Sequence, residues 1–315
     1  MDARSNSQEG RDHYAIEVPY EFAEGMLDSM PTSFVAGVDK WQQCASTIGY
    51  IKDQAACGSC WAVAASNVIA ARECITCGAG ANNVSAHNGP GENAPGFDVS
   101  AEQIMSCCSS CGNGCNGGYP IDAMQYYCNT GVVTGGWYHS GCGCQSYEVN
   151  PTLHTELPTP KCASTCDSAN YPVPFDSDKH MGMDYHAVRG EAAMMQEIYN
   201  HGPIECGFMV KRSFETFFQD HPKGIYTGGG WFDRTLGGHA ITVIGWGVGK
   251  DSKGKDTKYW LINNSWNTTW ADNGHFKFYR GKNLDNMEAQ CAAAIPKCNN
   301  KNPKSNALEC KGVDF

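Results

Sequence analysis

Cysteine content constrains this chain more than any other feature, since 18 of its 315 residues are cysteines. In an oxidising compartment such a density indicates disulfide bonds, whereas in a reducing one it would indicate metal ligands. Three pairs have the Cys-x2-Cys spacing of structural zinc sites: Cys57/Cys60, Cys74/Cys77 and Cys108/Cys111. The cysteines alone therefore leave open a disulfide-rich protein, a zinc protein and a thiol-redox protein.

Charge and hydropathy exclude two classes of partner. The formal net charge is −10, and basic residues cluster only at 250–258 and 297–304, which read as solvated loops. Phosphate binding needs a basic face, so nucleic acid is not expected as a partner. No run approaches the ~18 apolar residues of a membrane span, whereas 41% hydrophobic residues suffice for a sizeable core.

Predicted elements divide the chain into a helical, cysteine-rich half and a β half. Ser100, with Gln103 three residues on, has the pattern of a capping box at a helix start. Later stretches such as HAITVIGWGV and KYWLINNSW are typical of strands. Two domains with a cleft between them are therefore expected. The predicted divisions are a leader or propeptide remnant at 1–29, a mainly helical left domain at 30–182 whose first residues cross to the right domain, a β-rich right domain at 183–296, and a C-terminal extension at 297–315.

The stretch DQAACGSCWAVAAS, residues 53–66, places Cys60 at the start of a predicted helix. From Cys60 to about Cys74 the chain is rich in alanine and apolar residues at helical spacing. A helix N-terminus lowers a thiol pKa, and the thiolate is the reactive form of cysteine. The Gln54 side-chain amide and the Cys60 N–H could both donate to an oxyanion. The stretch therefore fits a nucleophile with its oxyanion donors.

A nucleophilic cysteine needs a base, and the base needs an orienting group. Of ten histidines, only His239 opens a strongly predicted strand, behind two glycines that allow a close backbone approach. Only Asn264 is in a comparable setting, at the end of the YWLINNSW strand beside Trp266. A strand-held His239 and Asn264 could meet the helix-held Cys60 across an interdomain cleft.

Four motifs, QAACGSCW, CNGGYP, GGHA and NNSWNTTWADNGHF, together resemble the papain superfamily of cysteine peptidases. WQQC, the adjacent Cys107-Cys108, TPKCASTC and GWGV resemble its cathepsin B branch. The resemblance covers roughly residues 30–296. It implies an α+β, papain-like two-domain fold, with a helical left domain, an antiparallel β-barrel-like right domain and the active site in the cleft. No metal or organic cofactor is implied.

The resemblance also implies a role for each motif residue. Cys60 would attack the scissile carbonyl as part of a thiolate–imidazolium pair with His239, and Asn264 would hold the imidazole. Gln54 and the Cys60 amide would form the oxyanion hole. The implied substrate-binding residues are Gly117 and Gly118 on the non-primed side, Pro120, Gly207, Ala240 and Gln290 around the pocket for the second residue before the scissile bond, and Trp266 on the primed (leaving-group) side.

Five disulfides follow from the same resemblance: Cys44–Cys74, Cys57–Cys115, Cys107–Cys162, Cys108–Cys111 and Cys144–Cys166. With Cys60 as the nucleophile, seven cysteines remain unassigned. Because seven is odd, at least one more thiol is expected to be free or to pair with another molecule. The candidates, which the sequence cannot pair, are Cys77, Cys128, Cys142, Cys206, Cys291, Cys298 and Cys310.

The chain departs from the cathepsin B pattern between Cys144 and Cys162. Cathepsin B carries an occluding loop there, with two adjacent histidines that receive the C-terminal carboxylate of the substrate. Here the segment QSYEVNPTLHTELPTP contains one histidine, His154, which is expected at the surface. We therefore expect an endopeptidase with weak or absent carboxydipeptidase activity.

Gln290 is a second departure, because cathepsin B has a glutamate at the base of this pocket, which lets it accept arginine. A neutral amide removes that charge partner, so apolar or aromatic side chains are expected to be favoured.

Residues 1–29 are too short for the family's usual inhibitory segment and are expected to be its remnant, with the mature enzyme starting near Met30.

The expected partners are protein or peptide substrates and cystatin-type inhibitors of a monomeric enzyme. Disulfides and low charge fit a lysosomal, vacuolar or extracellular setting. Three Asn-x-Ser/Thr triplets, at Asn83, Asn263 and Asn267, carry little weight as glycosylation signals. The alternative from another class is a non-catalytic homologue that keeps the fold as a binding or structural protein.

Overall fold

The computed structural model describes residues 29–82, 95–230 and 232–300. The predicted leader, apart from Ser29, lies outside these ranges, as does the extension beyond residue 300. Asn83 and Cys310 are outside them as well.

Most of the described helices precede residue 182. Short turns of other helical types occur at Ala36–Lys40, Gln42–Cys44 and Leu284–Ala289. No helix in the described ranges is long and apolar enough to cross a membrane. The α-helices are α1 (Ala45–Ile48), α2 (Cys60–Cys77), α3 (Ala101–Cys107), α4 (Pro120–Asn129), α5 (Phe175–Asp178), α6 (Glu191–His201) and α7 (Arg212–Asp220).

Helix α2 is the central helix and begins at Cys60, as predicted. Every residue from Trp61 to Cys74 is buried, which explains why its apolar residues surround the helix and do not form one stripe. The helix ends at Gly78, whose positive φ of 75° lets its N–H reach the Cys74 carbonyl at 3.0 Å. It thus extends one turn beyond the predicted end.

Helix α3 has the predicted cap, but only half of the predicted capping box. The Ser100 hydroxyl accepts a hydrogen bond from the Gln103 N–H at 3.0 Å. The Gln103 side chain does not return to Ser100, because its Oε1 accepts from the Val133 N–H at 2.8 Å. Gln103 therefore joins α3 to the segment after α4.

One eight-stranded sheet dominates the later part of the chain. Seven strands lie in the order β4-β10-β5-β7-β8-β9-β6, and β1 pairs with β7. All pairs are antiparallel except β6–β9, and β2 and β3 form a separate parallel pair. The strands are β1 (Phe34–Val35), β2 (Gly135–Gly136), β3 (Gln145–Ser146), β4 (Gly182–Val188), β5 (Ile204–Lys211), β6 (Ile225–Tyr226), β7 (Thr235–Lys250), β8 (Asp256–Asn263), β9 (His275–Tyr279) and β10 (Cys291–Pro296).

The sheet corrects two details of the sequence interpretation. Strand β7 begins at Thr235, so His239 lies inside the strand and not at its start. The described strands also form no closed barrel, because the order runs from β4 at one edge to β6 at the other. At these edges, β6 is only two residues long, and helix α4 packs against β4. The division into domains at residue 182 stays a prediction.

Cystine bridges are spread across the described chain. The structure joins all five pairs that the resemblance implied. It adds Cys77–Cys298 and Cys206–Cys291, and Cys142 is also disulfide-bonded. Of the six cysteines considered for zinc sites, all except Cys60 are in disulfides. Within the described residues, only Cys60 and Cys128 have free thiols.

Candidate active site

Cys60 lies where two elements meet, at the first residue of α2 and beside strand β7. Its thiol is half-buried and accepts backbone hydrogen bonds from Ala240 and Trp61. Ala240 directly follows His239, so the strand brings the predicted base next to the predicted nucleophile. Helix α2 packs along β7, where the Thr242 hydroxyl donates to the Ala64 carbonyl at 3.4 Å. The meeting of Cys60 and His239 therefore depends on helix–sheet packing.

The His239 ring is held by one hydrogen bond and one aromatic neighbour. Its Nε2 lies 2.7 Å from Asn264 Oδ1, which also accepts from the Ser265 N–H at 2.9 Å. The Trp266 ring stacks on the imidazole, with centroids 4.6 Å apart and planes 27° apart. His239 and Asn264 are 4% and 1% exposed. A protein acceptor, screened from water by Trp266, therefore fixes the ring orientation.

Gln54 is positioned by Ser265, one residue after Asn264. The Gln54 N–H donates to the Ser265 carbonyl at 2.9 Å, and the Ser265 hydroxyl donates to Gln54 Oε1 at 2.7 Å. The Gln54 amide nitrogen donates one hydrogen to the Cys57 carbonyl at 2.8 Å. An NH₂ group has two donors, so the second can serve an oxyanion beside Cys60.

Helix α2 begins without a side-chain cap, which bears on its N-terminal N–H groups. The Ser59 hydroxyl, in the N-cap position, lies 2.6 Å from the Tyr147 hydroxyl and makes no capping bond. The first N–H groups of a helix have no partner inside the helix. Here the Trp61 N–H bonds to the Cys60 thiol, and the Ala62 and Val63 N–H groups donate to the Ser59 carbonyl at 2.9 and 3.0 Å. The helix start therefore offers its partial positive charge and the Cys60 N–H to an oxyanion at this position.

Burial controls the protonation of both reacting groups. Burial raises the pKa of the Cys60 thiol, while the backbone hydrogen bonds from Ala240 and Trp61 act to lower it. Burial lowers the pKa of His239 to about 4, although the hydrogen bond to Asn264 acts to raise it. Each charged form is disfavoured because it loses hydration. Burial thus acts against ionisation of both groups, while the backbone hydrogen bonds to Cys60 and the Asn264 bond to His239 act in its favour.

Three residues predicted to surround one specificity pocket do lie together. Gly207 pairs with Ala240 across β5 and β7, and its N–H donates to the Gln290 carbonyl at 2.7 Å. A Cβ at Gly207 would stand 3.3 Å from Gln290 Oε1, which is buried and has no hydrogen-bond partner. Pro120 is buried at the start of α4, which packs on β10 and β5.

Gly118 packs against Trp61, the residue after Cys60. A Cβ at Gly118 would stand 2.5 Å from two Trp61 ring atoms, so only glycine fits there. Gly117, with a φ of 103°, has a backbone conformation that favours glycine. The two glycines therefore form a backbone edge beside the helix that carries Cys60. The catalytic and binding roles of all these residues remain predictions.

Glu205 is a titratable group that sequence reasoning missed. It lies on β5 two residues before Gly207, hence on the same face of the strand. It is fully buried, neither carboxyl oxygen has a hydrogen-bond partner, and burial raises its pKa well above the ordinary value. Burial therefore favours the neutral form of this carboxyl. In the sequence, the only sign that Glu205 faces the predicted pocket is its position two residues before Gly207 in a strand.

The folded chain restricts the glycosylation triplets. Asn263 is 2% exposed and donates to the Ile48 carbonyl at 2.8 Å, so it cannot carry a glycan in this fold. Asn267 is half-buried, and its amide donates to Asp53 at 3.1 Å. Neither triplet presents a free asparagine amide.

Comparison with known proteins agrees with this geometry. The papain family cysteine protease pattern matches residues 35–296. The chain is 39% identical over 293 residues to cathepsin B-like cysteine proteinase 5 of Caenorhabditis elegans, covering 87% of this chain and 77% of that protein. It is 40% identical over 281 residues to the gut-specific cysteine proteinase of the same organism, covering 87% of this chain and 76% of that protein.

A solved structure gives the same result in three dimensions. The procathepsin B S9 structure from Trypanosoma congolense superposes with a TM-score of 0.67 at 30% identity, covering 91% of this chain and 84% of that one. The chain belongs to the papain family of cysteine proteases. Within that family it is a cathepsin B-like cysteine protease.

Proposed function

We propose that this protease is an endopeptidase that cleaves polypeptides through a Cys60 thioester. The observation that supports this most is the 2.7 Å bond between His239 Nε2 and Asn264 Oδ1, on a strand whose next residue, Ala240, donates its N–H to the Cys60 thiol. His239 takes the thiol proton as sulfur attacks the scissile carbonyl, and then gives it to the leaving amine. Water, deprotonated by His239, then hydrolyses the thioester and restores the thiol.

Endopeptidase specificity is supported by the segment that replaces the occluding loop. Residues 152–156 are all exposed, and they include His154. The segment then returns to the chain just before helix α2, where the Leu157 N–H donates to the Ala56 carbonyl at 3.4 Å. A lone, solvated histidine is a poor anchor for a carboxylate, because exposed ion pairs are weak. A substrate chain can then continue past the primed side.

The test compares two quenched peptides of one sequence, one ending in a free carboxylate and one in an amide. We expect internal cleavage of both at similar rates and no stepwise loss of C-terminal dipeptides. A Cys60→Ala variant should abolish all cleavage. Dipeptide release that is faster from the free acid would overturn the endopeptidase assignment.

The non-catalytic alternative has its own readout in the same samples. An epoxide probe should label wild-type Cys60, because His239 takes its proton in the proposed mechanism. Cys128, the other free thiol in the described residues, has a pKa raised by burial to about 11 and should stay unlabelled. A folded, oxidised protein that neither cleaves peptides nor reacts with the probe would favour a binding or structural role.

Preference for an apolar or aromatic second residue before the cut is part of this proposal. Gln290 brings no charge to the pocket, and burial raises the pKa of Glu205, which favours its neutral form. An Arg side chain would therefore meet a neutral pocket and would lose hydration without a compensating charge. A Phe-Arg fluorogenic substrate should be cleaved faster than an Arg-Arg one at about pH 5.5, and the reverse order would reject this pocket assignment.

Partners and setting follow from the same function. Protein substrates, cystatin-type inhibitors and a monomeric state are proposed. A lysosomal, vacuolar or extracellular location is supported by the disulfides, which persist in oxidising compartments.

A further inference from the structure

A pocket outside the predicted site lies next to the oxyanion residue Gln54. It encloses about 590 Å³ of empty space, part of it open to solvent. Aromatic rings provide much of its lining, and two aliphatic side chains from α2 and α3 add to it. We call it the Tyr147 pocket; its main lining residues are Tyr50, Trp137, Tyr138, Tyr147, Val63 and Ala101.

The chain connects the Tyr147 pocket to the primed side of the cleft. Asp53 and Asn267 also line the pocket, and they are the chain neighbours of Gln54 and Trp266. Asp53 and Trp266 form an antiparallel bridge. Gln54 and Trp266 form a wall of the cleft in this proposal, and their chain neighbours Asp53 and Asn267 form the adjoining rim of the pocket.

The Tyr147 hydroxyl links the pocket directly to the catalytic loop. It donates to the Gln54 carbonyl at 3.0 Å and lies 2.6 Å from the Ser59 hydroxyl, just before Cys60. The ring is 4% exposed, so its position is fixed by packing. The pocket wall thus lies within one residue of both the oxyanion donor and the nucleophile.

The polar atoms of the two charged side chains in the pocket, Lys52 and Asp53, already have hydrogen-bond partners within the protein. Lys52 Nζ lies 2.6 Å from both Asp98 Oδ1 and Ser66 Oγ. The Asp53 carboxylate accepts from the Ala55 N–H at 2.8 Å and from the Asn267 amide at 3.1 Å. Asp98 thus balances the Lys52 charge, whereas neutral donors bind the Asp53 oxygens at the rim without supplying a countercharge. The remaining surface is aromatic and aliphatic, so the occupant it suits is a neutral, apolar group.

We propose that the Tyr147 pocket receives a large apolar or aromatic side chain of the substrate, at the second residue after the scissile bond. This proposal rests on the proposed endopeptidase function. The first leaving-side residue lies against Gln54 and Trp266. One step along an extended substrate is about 3.3 Å, comparable to the one-residue step along the wall to Asp53 and Asn267.

The experiment uses quenched peptides that differ only at the second residue after the scissile bond, with Phe, Leu, Ala or Asp there. We expect kcat/KM for Phe to exceed that for Ala by roughly 10-fold or more, since burial of a phenyl ring is favourable. Asp should be the poorest, because the pocket offers it no free cation.

Two variants test the pocket in opposite ways, by removing a wall and by filling the space. Trp137→Ala should reduce the Phe-to-Ala ratio towards one, and Ala101→Leu should do the same by occupying the pocket. The matched control is Leu153→Ala, an exposed residue of the nearby segment that does not line the pocket, and it should keep the wild-type ratio. Circular dichroism and epoxide labelling of Cys60 establish that each variant is folded and active.

The possible outcomes distinguish failure of the pocket assignment from failure of the proposed endopeptidase function. If wild-type protein cleaves none of the peptides, the endopeptidase assignment fails, and the pocket assignment fails with it. If it cleaves them all with a ratio near one, only the pocket assignment fails. A high ratio that survives both Trp137→Ala and Ala101→Leu would place the selectivity elsewhere and reject the Tyr147 pocket.

Discussion

At the scale of single residues, two opposing effects determine the pKa of His239: burial lowers it, and the hydrogen bond to Asn264 raises it. The ring is 4% exposed under Trp266, and burial lowers its pKa to about 4 despite the bond to Asn264. A base with so low a pKa is unprotonated throughout the mildly acidic range. It can therefore accept the Cys60 proton in the setting proposed for this enzyme.

The activity should fall as the pH drops through about 4. Below that pH the imidazole is already protonated and cannot take the thiol proton, so kcat/KM should decline in the acid direction. The measurement is kcat/KM for the Phe-Arg substrate over a range of about pH 3 to 8. An acid limb centred near the ordinary value of 6.5 would contradict the burial of His239.

At the scale of elements, a disulfide joins strands β5 and β10 beside the predicted specificity pocket. Cys206 and Cys291 lie directly opposite in the antiparallel register and form a disulfide that closes 85 residues. Gly207 and Gln290 are the neighbours of these cysteines. The bridge thus holds two pocket residues in register, as well as stabilising the sheet.

Removing this bridge should destabilise the fold. The double change Cys206→Ala and Cys291→Ala, made in the inactive Cys60→Ala background to prevent self-cleavage, should cost about 2–5 kcal/mol of unfolding free energy. Denaturant unfolding measures the loss. Cys128→Ser, at a free thiol, is the control and should change stability by less than about 1 kcal/mol. Equal effects would show that the disulfide contributes nothing beyond side-chain packing.

At the scale of the whole molecule, a buried arginine joins the helical half to the sheet. Arg72 of α2 lies 2.8 Å from Glu197 of α6, and the two side chains are 1% and 0% exposed. The same guanidinium donates to the carbonyls of Gly202, Pro203 and Ala294. One side chain therefore contacts α6, the turn into β5 and strand β10. This fixes how α2, and with it Cys60, sits on the sheet.

Arg72→Met should destabilise the protein by about 3–5 kcal/mol, because it leaves the buried Glu197 carboxylate without its arginine and with His186, 3.3 Å away, as its other ionic partner. The control is Lys250→Met, which breaks a 2.9 Å pair whose side chains are 64% and 70% exposed, and which should cost less than about 1 kcal/mol. Adding Glu197→Met to Arg72→Met should recover part of the loss. Similar losses in the two single variants would mean that burial of the pair has no energetic consequence.

Local patterns in the sequence determined much of this protein. The alanine-rich run starting at Cys60 forms a buried helix, Ser100 caps α3, and the alternating stretches after residue 235 form strands. The motifs around Cys60, His239 and Asn264 placed the chain in its family. These features depend on residues close together in the chain, where spacing and side-chain type suffice.

Tertiary structure decided what depends on contacts between distant residues. The partners of Cys77, Cys206, Cys291 and Cys298 follow from strand register and helix docking, which no local spacing encodes. The same holds for the burial of the Glu205 carboxyl. The Tyr147 pocket exists because residues near 50, 100, 137 and 147 meet only in the folded chain. Burial likewise acts to raise the pKa of Cys60, against the effect expected of the helix N-terminus, and burial is a property of the packed molecule alone.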